Sequence, residues 1–265
     1  MDRAKIAISF DDGRRDNIAI ISRLTDYEIP ATLYVTTGYV DGSCPNDKLP
    51  THKPAMTVDE VVHLFHNPLV EIGMHGDMHL NEDMDIKKCR EKLIKWLELD
   101  SSHSFGFASP CTSFPIEEFK HSNDRLYTRE ITYLAMGMRI LTNRNVRMIC
   151  RKAGRVLHSG RLFREAYHDT MMDDCSDRVI YRVPILRETS VSQVISLLQQ
   201  GVHEKKAITL MFHSIGTESI GDPWTWSNDK FEALLQYLCD ARSNDSIELC
   251  TINNVYQVLN GRRIK

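Results

Sequence analysis

Two adjacent carboxylates, Asp11 and Asp12, close the apolar run Lys5–Ser9 and are followed at once by Gly13. Neighbouring residues of a strand point to opposite faces, so paired acids at a strand end are a poor way to build a core. They suit a division of labour, one carboxylate on a metal and the other on a proton. A second group, His75-Gly76-Asp77-Met78-His79, follows the apolar run that ends at Met74. Histidines at i and i+4 share one face of a helical turn. With one carboxylate they make a His₂-Asp set, three protein ligands and an open position. A third group is His213, directly after Leu210-Met211-Phe212. Imidazole titrates near neutral pH and can serve as a general acid. The segment Phe107-Ala108-Ser109-Pro110-Cys111 is a further strand end, broken by a proline turn.

Short β-rich runs and longer helical periods alternate along the chain and would position these groups. The pattern predicts strands at Lys5–Ser9, Thr32–Val35, Val70–Met74, Ser104–Ala108, Met138–Leu141, Val179–Pro184, Ala207–Phe212 and Ser246–Cys250. It predicts helices at Asp16–Asp26, Thr57–Phe65, Asp85–Leu99, Asp124–Ala135, Val191–Gln200, Lys230–Ala241 and Ile252–Leu259. Thr57 and Glu60 have capping-box spacing. The alternation predicts an α/β fold with a parallel sheet, either a closed barrel or a doubly wound open sheet. Chemistry is expected where the strands end.

The 265 residues contain no linker-like break or repeat, and one domain over 1–265 is expected. A net charge of -3 gives no case for nucleic acid. The seven cysteines are scattered without zinc-ribbon or redox spacing, as in a reducing compartment. There is no apolar signal region or long apolar span, so a cytoplasmic protein without a transmembrane segment is expected. The segment from Arg139 to Arg164 is rich in arginine and has no acidic residue. It reads as a solvated helical face, or as a surface that attracts an anionic substrate such as a phosphate-bearing sugar, or a membrane.

Taken in order, these motifs resemble the polysaccharide deacetylase family, the NodB-homology group of carbohydrate esterase family 4. The resemblance runs from Ile6 to about Val258. It implies a distorted (β/α)₇ barrel that hydrolyses the N-acetyl group of an amino sugar. It implies Asp11 as catalytic base, Asp12, His75 and His79 as ligands of a divalent metal, and His213 as general acid. Zinc is favoured, and cobalt, nickel or iron also suit His₂-Asp. The backbone N–H of Cys111 is implied as an oxyanion donor. Ser9 stands where the family usually has Thr, and Gly76 where it has a hydroxyl residue. Ala108 occupies the place of the arginine that normally steadies the base. In a subgroup that also lacks that arginine, an Arg-hydrophobic-Pro segment lies on a later strand. Tyr181-Arg182-Val183-Pro184 matches it, so Arg182 is expected beside Asp11. The acid that normally accompanies the histidine is unplaced among Asp169, Asp173, Asp174 and Asp177. Pro110, Trp224 and Trp226 are candidate substrate contacts; alternatively, one tryptophan closes the core. The expected substrate is an N-acetylated sugar on a nucleotide or lipid-phosphate carrier in surface-glycan synthesis. The alternatives are an amidohydrolase on a non-sugar amide and a non-catalytic glycan-binding homologue.

Overall fold

The computed structural model describes residues 1–45, 53–121, 130–137, 160–175, 177–219 and 222–261. Seven strands run parallel around a closed barrel. They are β1 (Ala4–Phe10), β2 (Ala31–Val35), β3 (Val70–Met74), β4 (Phe105–Ala108), β5 (Ile131–Met136), β6 (Val179–Pro184) and β7 (Ala207–Phe212). Each pairs with the next, and β7 pairs with β1 from Lys5↔Ala207 to Phe10↔Phe212. Two short strands, β8 (Ser214–Gly216) and β9 (Thr225–Ser227), pair with each other. The last strand, β10 (Ile247–Cys250), pairs with the first half of β1, at Ala4–Ala7. Residues Ile8–Phe10 then pair with β2 on the same edge. One edge of β1 is thus shared end to end by two strands, β10 along Ala4–Ala7 and β2 along Ile8–Phe10, which distorts the barrel. The β3–β4 seam is the weakest, with one registered pair, Met74↔Phe107.

Strands buried on both faces need continuous apolar runs, and β1, β2, β6 and β7 are buried along their whole lengths. The interior is filled by large side chains over small ones. A Cβ on Gly73 would meet the Tyr34 ring at 2.6 Å, and one on Gly106 would meet Tyr133 at 2.1 Å. Tyr34 and Tyr133 share a 2.9 Å hydrogen bond, and the Tyr133 hydroxyl donates to Glu71 Oε1 at 2.5 Å.

The expected helix at Asp124–Ala135 is corrected at its C-terminal end, where Ile131–Met136 is strand β5; residues 124–129 lie outside the described residues. The run Ile131-Thr132-Tyr133 is β-branched and aromatic, and its continuous apolar character fits a strand covered on both faces. The expected strand Met138–Leu141 lies outside the described residues, as does most of the basic segment. Its described end forms the helix Gly160–Tyr167, which buries Phe163, Ala166 and Tyr167 and exposes Arg161. The capping box of Thr57 and Glu60 is present. Among the described residues, no helix is long and apolar enough to cross a membrane.

Candidate active site

The chain leaves β1 at Asp11 and turns through two left-handed residues, Asp12 (φ 78) and Gly13 (φ 74). The Asp11 N–H still donates to the Phe212 carbonyl at 3.0 Å, so Asp11 and His213 sit at adjacent strand ends. After β3 the loop turns at Gly76 (φ 81) and again at His79 (φ 60). This brings the His75 and His79 rings to the same oxygen of Asp12. His75 Nε2 and His79 Nε2 each lie 3.4 Å from Asp12 Oδ1 and 3.2 Å from each other. A tetrahedral centre with bonds of about 2.0–2.1 Å needs donor atoms about 3.3 Å apart. The three atoms therefore fit a small divalent ion. The hydrogen bond between His75 Nδ1 and the Ala108 carbonyl, at 2.8 Å, puts the ring proton on Nδ1 and leaves Nε2 free to ligate.

The histidine loop is held by an acid that the motif reading missed. Asp85 accepts from the N–H groups of Asp77 (2.9 Å), Met78 (2.7 Å) and Leu80 (3.0 Å). A Cβ on residue 76 would lie 2.4 Å from Asp85 Oδ2. Gly76 thus makes room for the carboxylate that supports the loop. Asp77 is fully buried and is held by the Thr37 hydroxyl and by Lys88 and Lys92.

Arg182, on β6, donates from Nη1 to Asp11 Oδ1 at 2.6 Å and from Nη2 to Asp11 Oδ2 at 3.0 Å. Ser9 Oγ accepts from the same Nη1 at 3.3 Å and donates to the Leu210 carbonyl. The guanidinium also lies 5.0 Å from the Tyr34 ring centroid. Burial pushes the Asp11 carboxyl up, but the charge of Arg182, helped by His75 and His213, outweighs it and holds Asp11 below its usual value. Asp12 is held well below its usual value, burial being overcome by the adjacent imidazoles of His75 and His79 and by His213.

His213 is half-buried, and its Nδ1 has no hydrogen-bond partner among the described residues. Burial pushes its pKa down to about 4, with Asp12 and Asp11 opposing the shift only in part. None of the four candidate acids is seen on this ring. Asp169 faces His168, and Asp177 accepts from the Val179 N–H. The Trp224 ring lies 4.4 Å from that of His213, centroid to centroid.

A cavity of about 240 Å³ joins Asp11, Asp12, His75, His79, Cys111, His213 and Trp224, with Pro184, Leu186 and Met211 on its apolar wall. Cys111 is exposed and left-handed (φ 53), and no hydrogen bond engages its N–H among the described residues. Two of the candidate contacts stand away from the cavity, and Trp226 is the tryptophan that closes the core. Trp226 is fully buried, with Nε1 donating to the Thr189 carbonyl at 2.7 Å and its ring packed on Phe212. Pro110 is buried in its turn, where its carbonyl accepts from Asn81 Nδ2, and does not line the cavity. Arg14 escaped the motif reading altogether: it is fully buried against Asp12 and Ser214.

Residues 1–115 match the family model described as polysaccharide deacetylase. No curated protein matches the chain. A putative polysaccharide deacetylase from Mycobacterium smegmatis superposes with a TM-score of 0.54 at 10% identity, over 98% of this chain and 91% of that one. The polysaccharide deacetylase Bc1974 from Bacillus cereus gives 0.44 at 11% identity, over 94% and 92% of the two chains. The BpsB deacetylase domain from Bordetella bronchiseptica gives 0.38 at 14% identity, over 49% of this chain and 63% of that one. At such identities the first of these likenesses speaks for the barrel fold alone.

Proposed function

We propose that this chain, a polysaccharide deacetylase homologue of the NodB type by its first 115 residues and its barrel, hydrolyses the N-acetyl group of an amino sugar. One observation carries the reading. The Asp12–His75–His79 triangle shares a cavity with an acid, Asp11, whose charge is fixed by a buried arginine. A divalent ion on Asp12, His75 and His79, with zinc favoured by the imidazoles, would polarise the amide carbonyl and acidify water.

The chain's own residues supply the rest. Asp11 accepts the proton of the attacking water. Its two oxygens each spend one lone pair on Arg182 and keep another for that proton. The N–H of Cys111, a cavity-lining residue with a left-handed backbone, is the donor for the carbonyl oxygen as it gains charge. His213, on the same cavity, delivers a proton to the leaving amine, and the proton that Asp11 takes from water balances the one delivered. Trp224 and the apolar wall hold the sugar and the acetyl methyl. A phosphate-bearing carrier on the substrate is consistent with the arginine-rich sequence 139–164. Five of the described cysteines, Cys89, Cys111, Cys175, Cys239 and Cys250, are free thiols, in keeping with a reducing, cytoplasmic setting.

A non-catalytic glycan binder has no use for a fully buried arginine on Asp11, whose desolvation costs several kcal/mol unless that carboxylate stays ionised. The test is acetate release from a panel of free, nucleotide-linked and lipid-linked N-acetylhexosamines, with metal content measured in parallel. Metal-loaded protein that releases acetate from none of them would overturn the reading.

A further inference from the structure

Two buried arginines treat the two adjacent acids differently. Arg182 spreads its fork over both oxygens of Asp11. Arg14 directs its fork at one oxygen of Asp12: Nε and Nη2 each stand 3.0 Å from Oδ2. The other oxygen, Oδ1, is the one that faces both imidazoles. The third nitrogen of Arg14, Nη1, donates to Ser214 Oγ at 3.1 Å, and the Ser214 hydroxyl donates to Asp16 Oδ1 at 3.3 Å. The guanidinium is therefore anchored from behind by β8 and cannot follow Asp12 if the carboxylate turns.

A carboxylate with both oxygens free can offer one or both to a cation. Here Oδ2 is occupied by a planar, permanently charged group, and only Oδ1 is available. An arginine that merely neutralised Asp12 would do so equally well across both oxygens, as Arg182 does on Asp11, and would then compete with the cation. We infer that Arg14 is the positioning residue that makes Asp12 a one-oxygen ligand and so limits the coordination number of the centre. The inference rests on the reading of Asp12, His75 and His79 as a metal site. The same pair of contacts explains how two neighbouring carboxylates take different jobs, Asp12 through one exposed oxygen and Asp11 with its charge held in place.

The test uses the metal-free protein titrated with Co²⁺, whose visible bands are strong in four-coordinate sites and weaken as coordination number rises. Wild type, Arg14→Gln and Arg14→Lys are compared. Arg14→Gln is expected to lose about 10–100-fold in Co²⁺ affinity, the usual cost of removing a group that orients a ligand. Its bands are expected to weaken as Asp12 turns to offer both oxygens. Arg14→Lys keeps the charge but not the fork, so the same spectral change with a smaller loss of affinity is expected. Thermal unfolding without metal shows whether each variant folds. Should Arg14→Gln fail to fold, Arg14→Lys alone decides. Wild-type affinity and spectrum in a folded variant would overturn the inference. Failure of the wild-type protein to bind Co²⁺ would instead overturn the metal site itself.

Discussion

Arg182 meets Asp11 through two parallel hydrogen bonds, from a strand that is not its neighbour: β7 lies between β6 and β1. The pair is almost wholly buried, so each charge depends on the other. Removing Arg182 leaves burial opposed only by the weaker pull of His75 and His213, so the Asp11 pKa must rise. In Arg182→Met the acid limb of the pH profile of kcat/KM is expected to move up by about one to three units, the range for loss of one close opposite charge. The unpaired carboxylate also costs about 3–5 kcal/mol of stability near neutral pH. The sign follows from the depressed carboxyl. The Asp11 contribution is present above its unfolded pKa of 3.8 and is lost as pH falls through the lower folded value. Urea unfolding should therefore separate wild type from Arg182→Met widely at pH 7 and less at pH 3. An unmoved acid limb would show that Arg182 is not what holds the charge of Asp11.

Metal dependence separates the two acids. Chelation is expected to lower the melting temperature of the wild-type protein, because an ion that binds only the folded state stabilises it by about 2.7 kcal/mol at a hundred times its Kd. His75→Ala and His79→Ala should melt at one temperature with or without added zinc. Asp11→Asn should keep the zinc-dependent shift while acetate release falls to background. Loss of metal from Asp11→Asn would mean that the roles of Asp11 and Asp12 are wrongly divided.

The His213 ring is expected to titrate near 4 in the metal-free protein, followed through its C2 proton by NMR. Burial without a partner on Nδ1 is the cause. The folded pKa lies below the unfolded one of about 6.5, so the unfolded chain binds the extra proton first. Stability is then complete above about pH 6.5 and declines as pH falls toward 4. His213→Gln should flatten that decline and lower acetate release by about 10²–10⁴-fold, as loss of a general acid does. A midpoint at or above 6.5 would refute the burial argument.

Why some of this was legible in the sequence and some was not has a physical basis. The Asp11-Asp12 pair, His75 and His213 each end an apolar run, and His79 follows His75 by four residues, local patterns that survive without the fold. Arg182 was reachable only through the resemblance to a subgroup whose Arg-hydrophobic-Pro segment stands on a later strand. Arg14 follows a turn glycine and reads as a solvated cation. Only Ser214, two hundred residues away, and the far oxygen of Asp12 explain its burial. Asp85 reads as a helix-start acid, but its carboxylate faces back onto the loop before the helix. Strand β5 was hidden because a short apolar run has no period of its own, and its neighbours in the sheet decide its state.

Gly76 gives a test of that loop. Restoring a hydroxyl residue with Gly76→Ser places a Cβ 2.4 Å from the Asp85 carboxylate, at a φ of 81 that side chains resist. The variant is expected to lose more than about 1 kcal/mol of stability, since a non-glycine residue at positive φ costs at least that much here. Its metal affinity should fall as the two imidazoles part. Asp85→Ala in the same chain removes the clash along with the support, so the double variant should be less damaged than the sum of the two. Strict additivity would mean that Gly76 and Asp85 act independently.

The two tryptophans should separate cleanly, although they are only two residues apart. Trp226 is sealed between Phe212 and the Thr189 carbonyl, below the floor of the site. Trp226→Ala removes a large core side chain and strands that carbonyl, at an expected cost of about 3–5 kcal/mol. Trp224 is half-buried and stands against His213 on the cavity wall. Trp224→Ala should unfold close to wild type. Its expected effect is on turnover: KM rises if the ring only stacks on the sugar, whereas kcat falls as well if it also holds the His213 ring in place. Trp224→Phe keeps a flat apolar face and should recover most of either loss. Equal destabilisation by both alanine variants would show that Trp224 too is part of the core and leave the sugar without its proposed wall.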